Sequence, residues 1–265
     1  MKFRLALALI LIVSIILRFY NLNWSRSIVW HPDERNMAAA IEQMRLPEKL
    51  TDLPSCLSQL SIVNSLPAQT GQLRPCNLNP HFFAYGGLPL YLSFAGSVFY
   101  KSVTHLEFVK QINFQEATMS LRILSALSSI LSVYAVYLIG KLFFSRQLSL
   151  LTSLLTAFIP SLIQSAHFGT TESLLGFFLL LISYCSVKFY LSARLKYLFY
   201  CAVLVGLSLA TKISVISFIT GPVVAIILVS FAPYRRHSER SEESLPDGSL
   251  AGTSPEILRG EHLRM

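Results

Sequence analysis

Long uncharged runs alternate with short polar stretches along most of this chain, and their lengths suit membrane helices. The runs cover residues 5–17, 123–140, 147–164, 173–187, 197–211 and 213–234. The first has only 13 residues, but Arg4 and Arg18 at its ends can snorkel, and Phe19, Tyr20 and Trp24 supply an interfacial belt. The pattern predicts an all-α polytopic membrane protein with about six transmembrane helices.

The polar stretches between these runs divide the chain. We expect a membrane domain over residues 1–234, with the first span within 3–20, a large extracytoplasmic loop over 21–119, and five further spans within 121–234. The tail over residues 235–265 is rich in Ser, Glu, Pro and Gly and has little to bury, so we expect it to be disordered.

One further stretch, residues 82–100, is apolar enough to be considered a span. If it crossed the membrane, every later cluster of basic residues would change sides. Gly86, Gly87 and Pro89 also interrupt its first half, so we predict an interfacial or re-entrant helix instead.

Composition supports a membrane protein, since 53% of the residues are hydrophobic and 14% are charged. The net charge of +8 comes from basic residues that lie beside apolar runs and form no single patch. Membrane lipids are therefore the expected partner, and nucleic acid is not.

The same basic residues predict the orientation. They recur at every second boundary of the apolar runs, whereas the loop over residues 20–119 holds seven basic and seven acidic residues. By the positive-inside rule, the amino terminus is cytoplasmic and the loop is extracytoplasmic in the plasma membrane. The residues that would lie in the cytoplasm are Lys2, Arg4, Lys141, Arg146, Lys188, Arg194, Lys196, Arg235 and Arg236.

The four cysteines form no CxxC motif. Cys56 and Cys76 both lie in the loop, where they could form a disulfide if the loop is outside the cytoplasm. At the amino terminus, Arg18 and aromatic residues stand where a signal peptide would have a small-residue cleavage site. We therefore expect an uncleaved anchor.

Charged residues gather at one predicted edge of the bundle. Asp33 and Glu34 follow the first span in VWHPDERNMAAA, and Arg122 opens the second span. Glu172 is the only acidic residue between positions 117 and 237, and Lys212 lies between the last two runs. Topology places all five on the outer side, where a wet pocket would accommodate them.

Each of these residues also has a simpler interpretation. Pro32, Asp33 and Glu34 fit an ordinary helix start, because carboxylates favour the positive end of the helix dipole. Arg122 and Lys212 alone would be snorkelling ends of spans, and Glu172 alone would be a turn residue. Their agreement on one face favours a functional site.

Such a set suits transfer of a sugar from a polyprenyl phosphate. The phosphate is a good leaving group, so the reaction needs one base for the acceptor's proton and cations to hold the phosphate. Asp33 would be the base in a single inverting displacement. Arg122 and Lys212 would bind the lipid phosphate, while Glu34, with His31 and Glu172, would bind the acceptor or the sugar.

Five stretches, taken in order, carry a resemblance: HPDERN, NPHFFAYGGLPLYL, RILSALSSILSVYAVYLIGKLFF, TTESLLGFFLLL and GLSLATK. They resemble membrane glycosyltransferases of the protein O-mannosyltransferase and aminoarabinose transferase superfamily, related to glycosyltransferase family 39. The resemblance extends over residues 3–234 and implies the N-terminal catalytic half of a GT-C fold.

The resemblance also implies roles. It implies that Asp33 is catalytic with Glu34 beside it, that Arg122 holds the lipid phosphate, and that Glu172 lines the site. Lys212 corresponds to the lysine of the last stretch. The implied partners are a polyprenyl-phosphate sugar donor and a lipid, glycan or protein acceptor of the cell envelope.

Two alternatives stay open at this point. A non-catalytic membrane protein that binds or transports polyprenyl-linked lipids would use the same cations without needing Asp33. A solute transporter would instead place charges near the middle of the membrane. No cofactor is indicated. A divalent metal stays open as a less favoured alternative, because His31, Asp33, Glu34 and His81 share a loop but lack the spacing of metal ligands.

Overall fold

The computed structural model describes residues 2–25, 28–58, 76–82, 84–105 and 109–231. Over these ranges the chain is helical, without a strand, and the single bridge pairs Arg45 with Asn77. This confirms the all-α prediction, while the predicted tail over 235–265 lies outside the described residues. The helices are α1 (Lys2–Phe19), α2 (Pro32–Glu42), α3 (Leu53–Ser58), α4 (Leu88–His105), α5 (Phe114–Phe143), α6 (Arg146–Ala157), α7 (Pro160–Ala166), α8 (Glu172–Ser192), α9 (Leu195–Thr211) and α10 (Thr220–Ser230), with 3₁₀ turns at Leu50–Asp52 and Ile213–Ile219.

Three helical segments of the described chain are long and apolar enough to cross a membrane. They are Phe114–Phe143, Glu172–Ser192 and Ile213–Ser230. The pair α6 and α7 makes a fourth if it counts as one span, although the two helices bend by 58°. Together with the large apolar side chains exposed along these helices, this identifies an integral membrane protein.

All six predicted spans are helical over the residues that the structure describes, but two of them differ from the prediction in detail. The span predicted over residues 147–164 is broken, because Pro160 begins α7 and cannot continue the hydrogen-bond ladder of α6. In α1, Arg18 does not snorkel as predicted. It is fully buried and donates hydrogen bonds to Ser129 Oγ and to the carbonyl of Ala157, at the end of α6. The remaining spans coincide with α5, α8, α9 and the segment Ile213–Ser230.

The long helix α5 is the centre of the bundle. Its first turn is a capping box, in which Asn113 Oδ1 accepts from the Glu116 N–H and Glu116 accepts from the Asn113 N–H. From there α5 packs against α1, α2, α4, α6 and α8. A core of buried side chains lies where α2 and α4 cover the N-terminal end of α5, and includes Met37, Ile41, Leu90, Phe94, Ile112 and Leu121.

The loop predicted over residues 21–119 contains three of these helices. Its helix α4 begins after Gly87, as the glycines predict, and is not one of the membrane-length helices of the described chain. Cys56 at α3 is joined to Cys76 by a disulfide. Next to it, Asn77 pairs with Arg45 through both backbone N–H groups, at 2.6 and 2.9 Å. These links hold the loop against the end of α2.

Candidate functional site

The start of α2 has the chemistry of an ordinary helix N-terminus. His31 is its N-cap, and the His31 Nδ1 accepts the backbone N–H of Asp33 at 3.2 Å, while Pro32 occupies the first turn. The His31 ring lies 5.5 Å from the ring of Phe168, which precedes α8. The helix-start interpretation of Pro32, Asp33 and Glu34 is therefore confirmed, because all three lie in the first turn of α2.

Glu34 and Arg122 form a buried ion pair. Arg122 Nε lies 2.6 Å from Glu34 Oε1, and Arg122 Nη2 lies 3.0 Å from Glu34 Oε2, with relative exposures of 1% and 0%. The N–H of Gly169 also donates to Glu34 Oε1 at 2.8 Å. This pair ties α2 to α5 and to the turn before α8.

The remaining donors of Arg122 also have protein partners. Arg122 Nη1 donates to the carbonyl of Leu22 and Nη2 donates to Ser25 Oγ, at 3.1 and 2.8 Å. Its guanidinium carbon lies 5.5 Å from the ring centre of Trp24. The structure thus engages Arg122 inside the protein, whereas the sequence predicted a cation free to hold a lipid phosphate. That phosphate contact stays a prediction.

Tyr85 lies near both the other carboxylate and a cation. Lys212 Nζ lies 4.9 Å from the centre of its ring, and the Asp33 carboxylate is near enough to its hydroxyl to affect the pKa of Tyr85. Asp33, as a hydrogen-bond acceptor for this hydroxyl, is the main reason that the pKa of Tyr85 is raised to about 12, with desolvation and the charges of Asp33 and Glu172 adding to it. Tyr85 therefore stays protonated at neutral pH.

Lys212 and Glu172 complete the cluster. Lys212 Nζ lies 3.9 Å from Glu172 Oε1, and both side chains are partly exposed, at 31% and 52%. A partly exposed ion pair at this distance contributes little to stability. A charged ligand can therefore replace either partner of the pair at little cost. Lys212 follows α9 and Glu172 begins α8, which brings two helix ends to this point.

A close backbone contact fixes the Tyr85 loop, the segment before α4 that contains Tyr85, Gly86 and Gly87. The N–H of Gly86 donates to the carbonyl of Thr211 at 2.9 Å. A Cβ atom at Gly86 would overlap the backbone carbonyl of Ala210. Only glycine permits this approach, and it sets the position of Tyr85 relative to Lys212.

In the part of the chain that the structure describes, the predicted site residues form two groups, the buried pair of Glu34 and Arg122 and the open group of Lys212, Glu172 and Tyr85, with Asp33 between them in the first turn of α2. Sequence reasoning missed Tyr85, because it treated the aromatic residues of this loop as belt and packing. One feature of the sequence could have indicated the position of Tyr85. It is followed by two glycines before an apolar helix, and glycines allow the backbone to approach another segment closely. With Asp33 and His31, the two groups make up the charged cluster, which consists of His31, Asp33, Glu34, Tyr85, Arg122, Glu172 and Lys212.

Two further observations concern ligands. A polar cavity of about 210 Å³ lies against Arg122 and is also lined by Asn23, Gln115 and Thr118. Arg122 itself is almost fully buried behind this cavity. Over the ranges that the structure describes, no group of three or more His, Cys, Asp or Glu side chains is arranged to hold a metal.

Comparison with known proteins gives one family. The family model described as dolichyl-phosphate-mannose-protein mannosyltransferase matches residues 106–246. This range is more than half of the chain and contains Arg122, Glu172 and Lys212, although it does not reach Asp33 or Tyr85. Neither the curated proteins nor the solved structures give a match.

Proposed function

Because the chain belongs to the dolichyl-phosphate-mannose-protein mannosyltransferase family, and is in general terms a membrane glycosyltransferase, we propose that it transfers a sugar from a polyprenyl-phosphate donor to a hydroxyl acceptor at the extracytoplasmic face. The family match supports sugar transfer. The charged cluster supports the kind of donor, because a lipid phosphate needs a cation close to the membrane surface.

In the proposed reaction Asp33 is the general base. Its carboxylate takes the proton of the acceptor hydroxyl, whose oxygen then forms a bond to the anomeric carbon of the sugar. The bond between that carbon and the phosphate oxygen breaks, and the phosphate leaves with the electron pair. No acid is needed, and attack opposite the leaving group inverts the anomeric configuration.

We assign the donor phosphate to Lys212. The ammonium lies on the face of Tyr85, whose hydroxyl faces Asp33, so a phosphate at Lys212 would place the sugar next to the base. Glu172 neutralises Lys212 when no donor is bound and then becomes free for hydroxyl groups of the sugar or acceptor. His31, at the same helix start, borders the acceptor side.

For Glu34 and Arg122 we propose a supporting role. Both are almost fully buried and bonded to each other, so a direct contact with substrate would require the pair to open. Removing one partner would leave an uncompensated buried charge. Their contribution is then to hold the first turn of α2, and with it Asp33, at a fixed distance from α5.

Two observations support an extracytoplasmic site. The disulfide between Cys56 and Cys76 is typical of an oxidising compartment. The basic residues at alternate ends of the spans favour the opposite side for the cytoplasm. We therefore propose that the amino terminus is cytoplasmic and that the cluster opens to the exterior of the plasma membrane.

The observation that carries this proposal is the position of Lys212, which lies over the ring of Tyr85 and 3.9 Å from Glu172, on the side where Tyr85 faces Asp33. The test is sugar transfer by the purified chain in lipid vesicles, with polyprenyl-phosphate mannose carrying tritium in the sugar as donor and a membrane extract as acceptor. Asp33→Asn should reduce transfer by about two to four orders of magnitude and leave donor binding intact.

Asp52→Asn is the matched control, because Asp52 is an exposed carboxylate in the same loop. It should transfer at the wild-type rate. Unchanged transfer by Asp33→Asn would remove the base from the mechanism. If wild type bound the donor without any transfer, a non-catalytic polyprenyl-lipid-binding protein would be the better description.

A further inference from the structure

A second cavity lies away from the charged cluster, in the groove between α4 and α5. Its volume is about 460 Å³, within the usual range of ligand sites. Most of its lining is apolar, whereas three polar side chains stand together at one end. The apolar lining includes Leu92, Ile112, Ile123, Leu124 and Leu127, and the polar end is formed by Lys101, His105 and Glu116.

The apolar part of this groove runs along a membrane-length helix. Ile123 and Leu127 are 39% and 47% exposed, and Leu131, one turn further, is 45% exposed. These three residues make a stripe on α5 that continues the groove toward the membrane interior. From Glu116 to Leu127 the helix rises about 16 Å, which is about half of the ~30 Å hydrocarbon core. The groove therefore matches the depth of one leaflet.

The polar end presents both signs of charge. Lys101 Nζ lies 2.7 Å from Glu116 Oε1, and both side chains are about one-third exposed. His105 lines the same end. A phosphate can lie at Lys101 and His105 while an ammonium group lies at Glu116, which is the charge arrangement of a zwitterionic head group. A purely anionic lipid that took Lys101 as its partner would leave the Glu116 carboxylate without its cation, whereas the ammonium of a zwitterionic head group would replace that cation.

We propose that the groove between α4 and α5 is a binding site for one phosphatidylethanolamine molecule, with an acyl chain along α5 and the head group at Lys101, His105 and Glu116. The bound lipid completes the contact between α4 and the bundle. It is separate from the transfer reaction, since the groove lining contains none of the residues of the charged cluster.

Gly96 offers a specific way to close the site. It lines the groove, and a Cβ atom built there meets nothing within 4 Å. Gly96→Leu should therefore fill the groove without displacing the backbone. Gly206 in α9 is equally open, with nothing within 4 Å, and is outside the groove, so Gly206→Leu is the matched control.

The experiment is native mass spectrometry of the chain purified from vesicles that contain equal amounts of phosphatidylethanolamine, phosphatidylglycerol and polyprenyl phosphate. Wild type and Gly206→Leu should each retain one phosphatidylethanolamine, and Gly96→Leu should lose it. Added phosphatidylethanolamine should raise the melting temperature of the first two proteins and not that of Gly96→Leu.

A second variant tests the head-group contacts. The double substitution Lys101→Gln and Glu116→Gln should lose the preference for phosphatidylethanolamine over phosphatidylglycerol. Three results would overturn the proposal: equal retention by Gly96→Leu, retention of phosphatidylglycerol or polyprenyl phosphate in place of phosphatidylethanolamine, or an unchanged preference in the double variant.

Discussion

Glu34 and Arg122, which are 88 residues apart in the chain, meet in a two-point ion pair with N–O distances of 2.6 and 3.0 Å. The pair is closed from solvent, and the N–H of Gly169 adds a third hydrogen bond to the Glu34 carboxylate. Asp33 is the neighbour of Glu34 in the first turn of α2. The buried pair therefore determines where the proposed base stands.

Removing one member of this pair should destabilise the protein. Arg122→Ala leaves the Glu34 carboxylate buried without a cation, and breaking a buried pair in this way costs about 3–5 kcal/mol. Thermal unfolding in detergent, followed by circular dichroism, should show a clearly lower melting temperature. If the melting temperature stayed unchanged while donor affinity fell, Arg122 would instead hold the lipid phosphate directly.

The double variant Glu34→Met and Arg122→Met tests whether the loss of stability in Arg122→Ala comes from leaving one buried charge unpaired. Because it removes both charges and keeps apolar volume, it should recover most of the stability that Arg122→Ala loses. Transfer activity should nevertheless stay low, since the first turn of α2 would lose its anchor to α5. Full activity in the double variant would contradict the positioning role.

The hydroxyl of Tyr85 should matter for the rate of transfer. Tyr85→Phe keeps the ring next to Lys212 but removes the hydroxyl that faces Asp33, and a hydrogen bond to a charged group is worth about tenfold to a hundredfold in an equilibrium or rate. The expected result is a lower kcat with an unchanged KM for the donor. Tyr100→Phe, at a residue 71% exposed, should have no effect. An unchanged kcat in Tyr85→Phe would exclude Tyr85 from positioning the base.

The raised pKa of Tyr85 offers a direct measure of its contact with Asp33. In protein labelled with carbon-13 in the tyrosine rings, the signal of Tyr85 is identified as the one that is missing from Tyr85→Phe. This signal should titrate with a pKa of about 12. In Asp33→Asn it should shift toward 10.0, because the charged acceptor is gone. Between these two pH values the folded state keeps a proton that the unfolded state loses, so stability should fall as the pH rises.

Lys212 and Glu172 should have opposite effects on the donor. Lys212→Gln removes the cation proposed to bind the phosphate, so donor affinity should fall about tenfold or more. Glu172→Gln removes a carboxylate that competes with the phosphate for Lys212, so affinity should be maintained or improved. Binding of polyprenyl phosphate in nanodiscs measures both variants. If both variants lost donor affinity equally, the proposal that the phosphate replaces Glu172 as the partner of Lys212 would be wrong.

Much of this arrangement follows from the sequence. Apolar runs predicted the helices, and the positions of Glu172 and Lys212 at the ends of predicted spans placed them near each other, as the structure does. The partner of each residue could not be predicted. Successive residues of a helix point about 100° apart, so Asp33 and Glu34 cannot share one role, and the sequence does not say which of them turns toward α5.

Three other features depend on tertiary packing. Tyr85 lies in an aromatic-rich segment, where its ring resembles the packing aromatic residues until the contact with Lys212 is seen. The bend between α6 and α7 had a signal in Pro160, but hydropathy alone favours a continuous span. Arg18 is similar, because a charge near the end of a span predicts snorkelling unless a helix end, here that of α6, accepts its hydrogen bonds.

The disulfide allows a test of orientation. Cys56 and Cys76 are buried and close a loop of 20 residues. In intact cells, a membrane-impermeant maleimide should label these two thiols after mild reduction and not before it. Cys185 and Cys201, which are free and buried, should stay unlabelled until the protein is unfolded. Labelling of Cys56 only after permeabilisation would place the loop, and the site with it, in the cytoplasm.

Gly86 tests whether the position of the Tyr85 loop matters for the chemistry. In Gly86→Ala the added methyl group overlaps the carbonyl of Ala210, so the loop must leave Thr211 and move Tyr85 away from Lys212. We expect reduced transfer with a smaller fall in melting temperature than in Arg122→Ala, because Phe82 and Tyr85 of this segment are only partly buried against the core. Gly96→Ala, where a Cβ atom meets nothing within 4 Å, should keep full activity. Wild-type transfer by Gly86→Ala would mean that the contact chain from Asp33 through Tyr85 to Lys212 is not needed for the reaction.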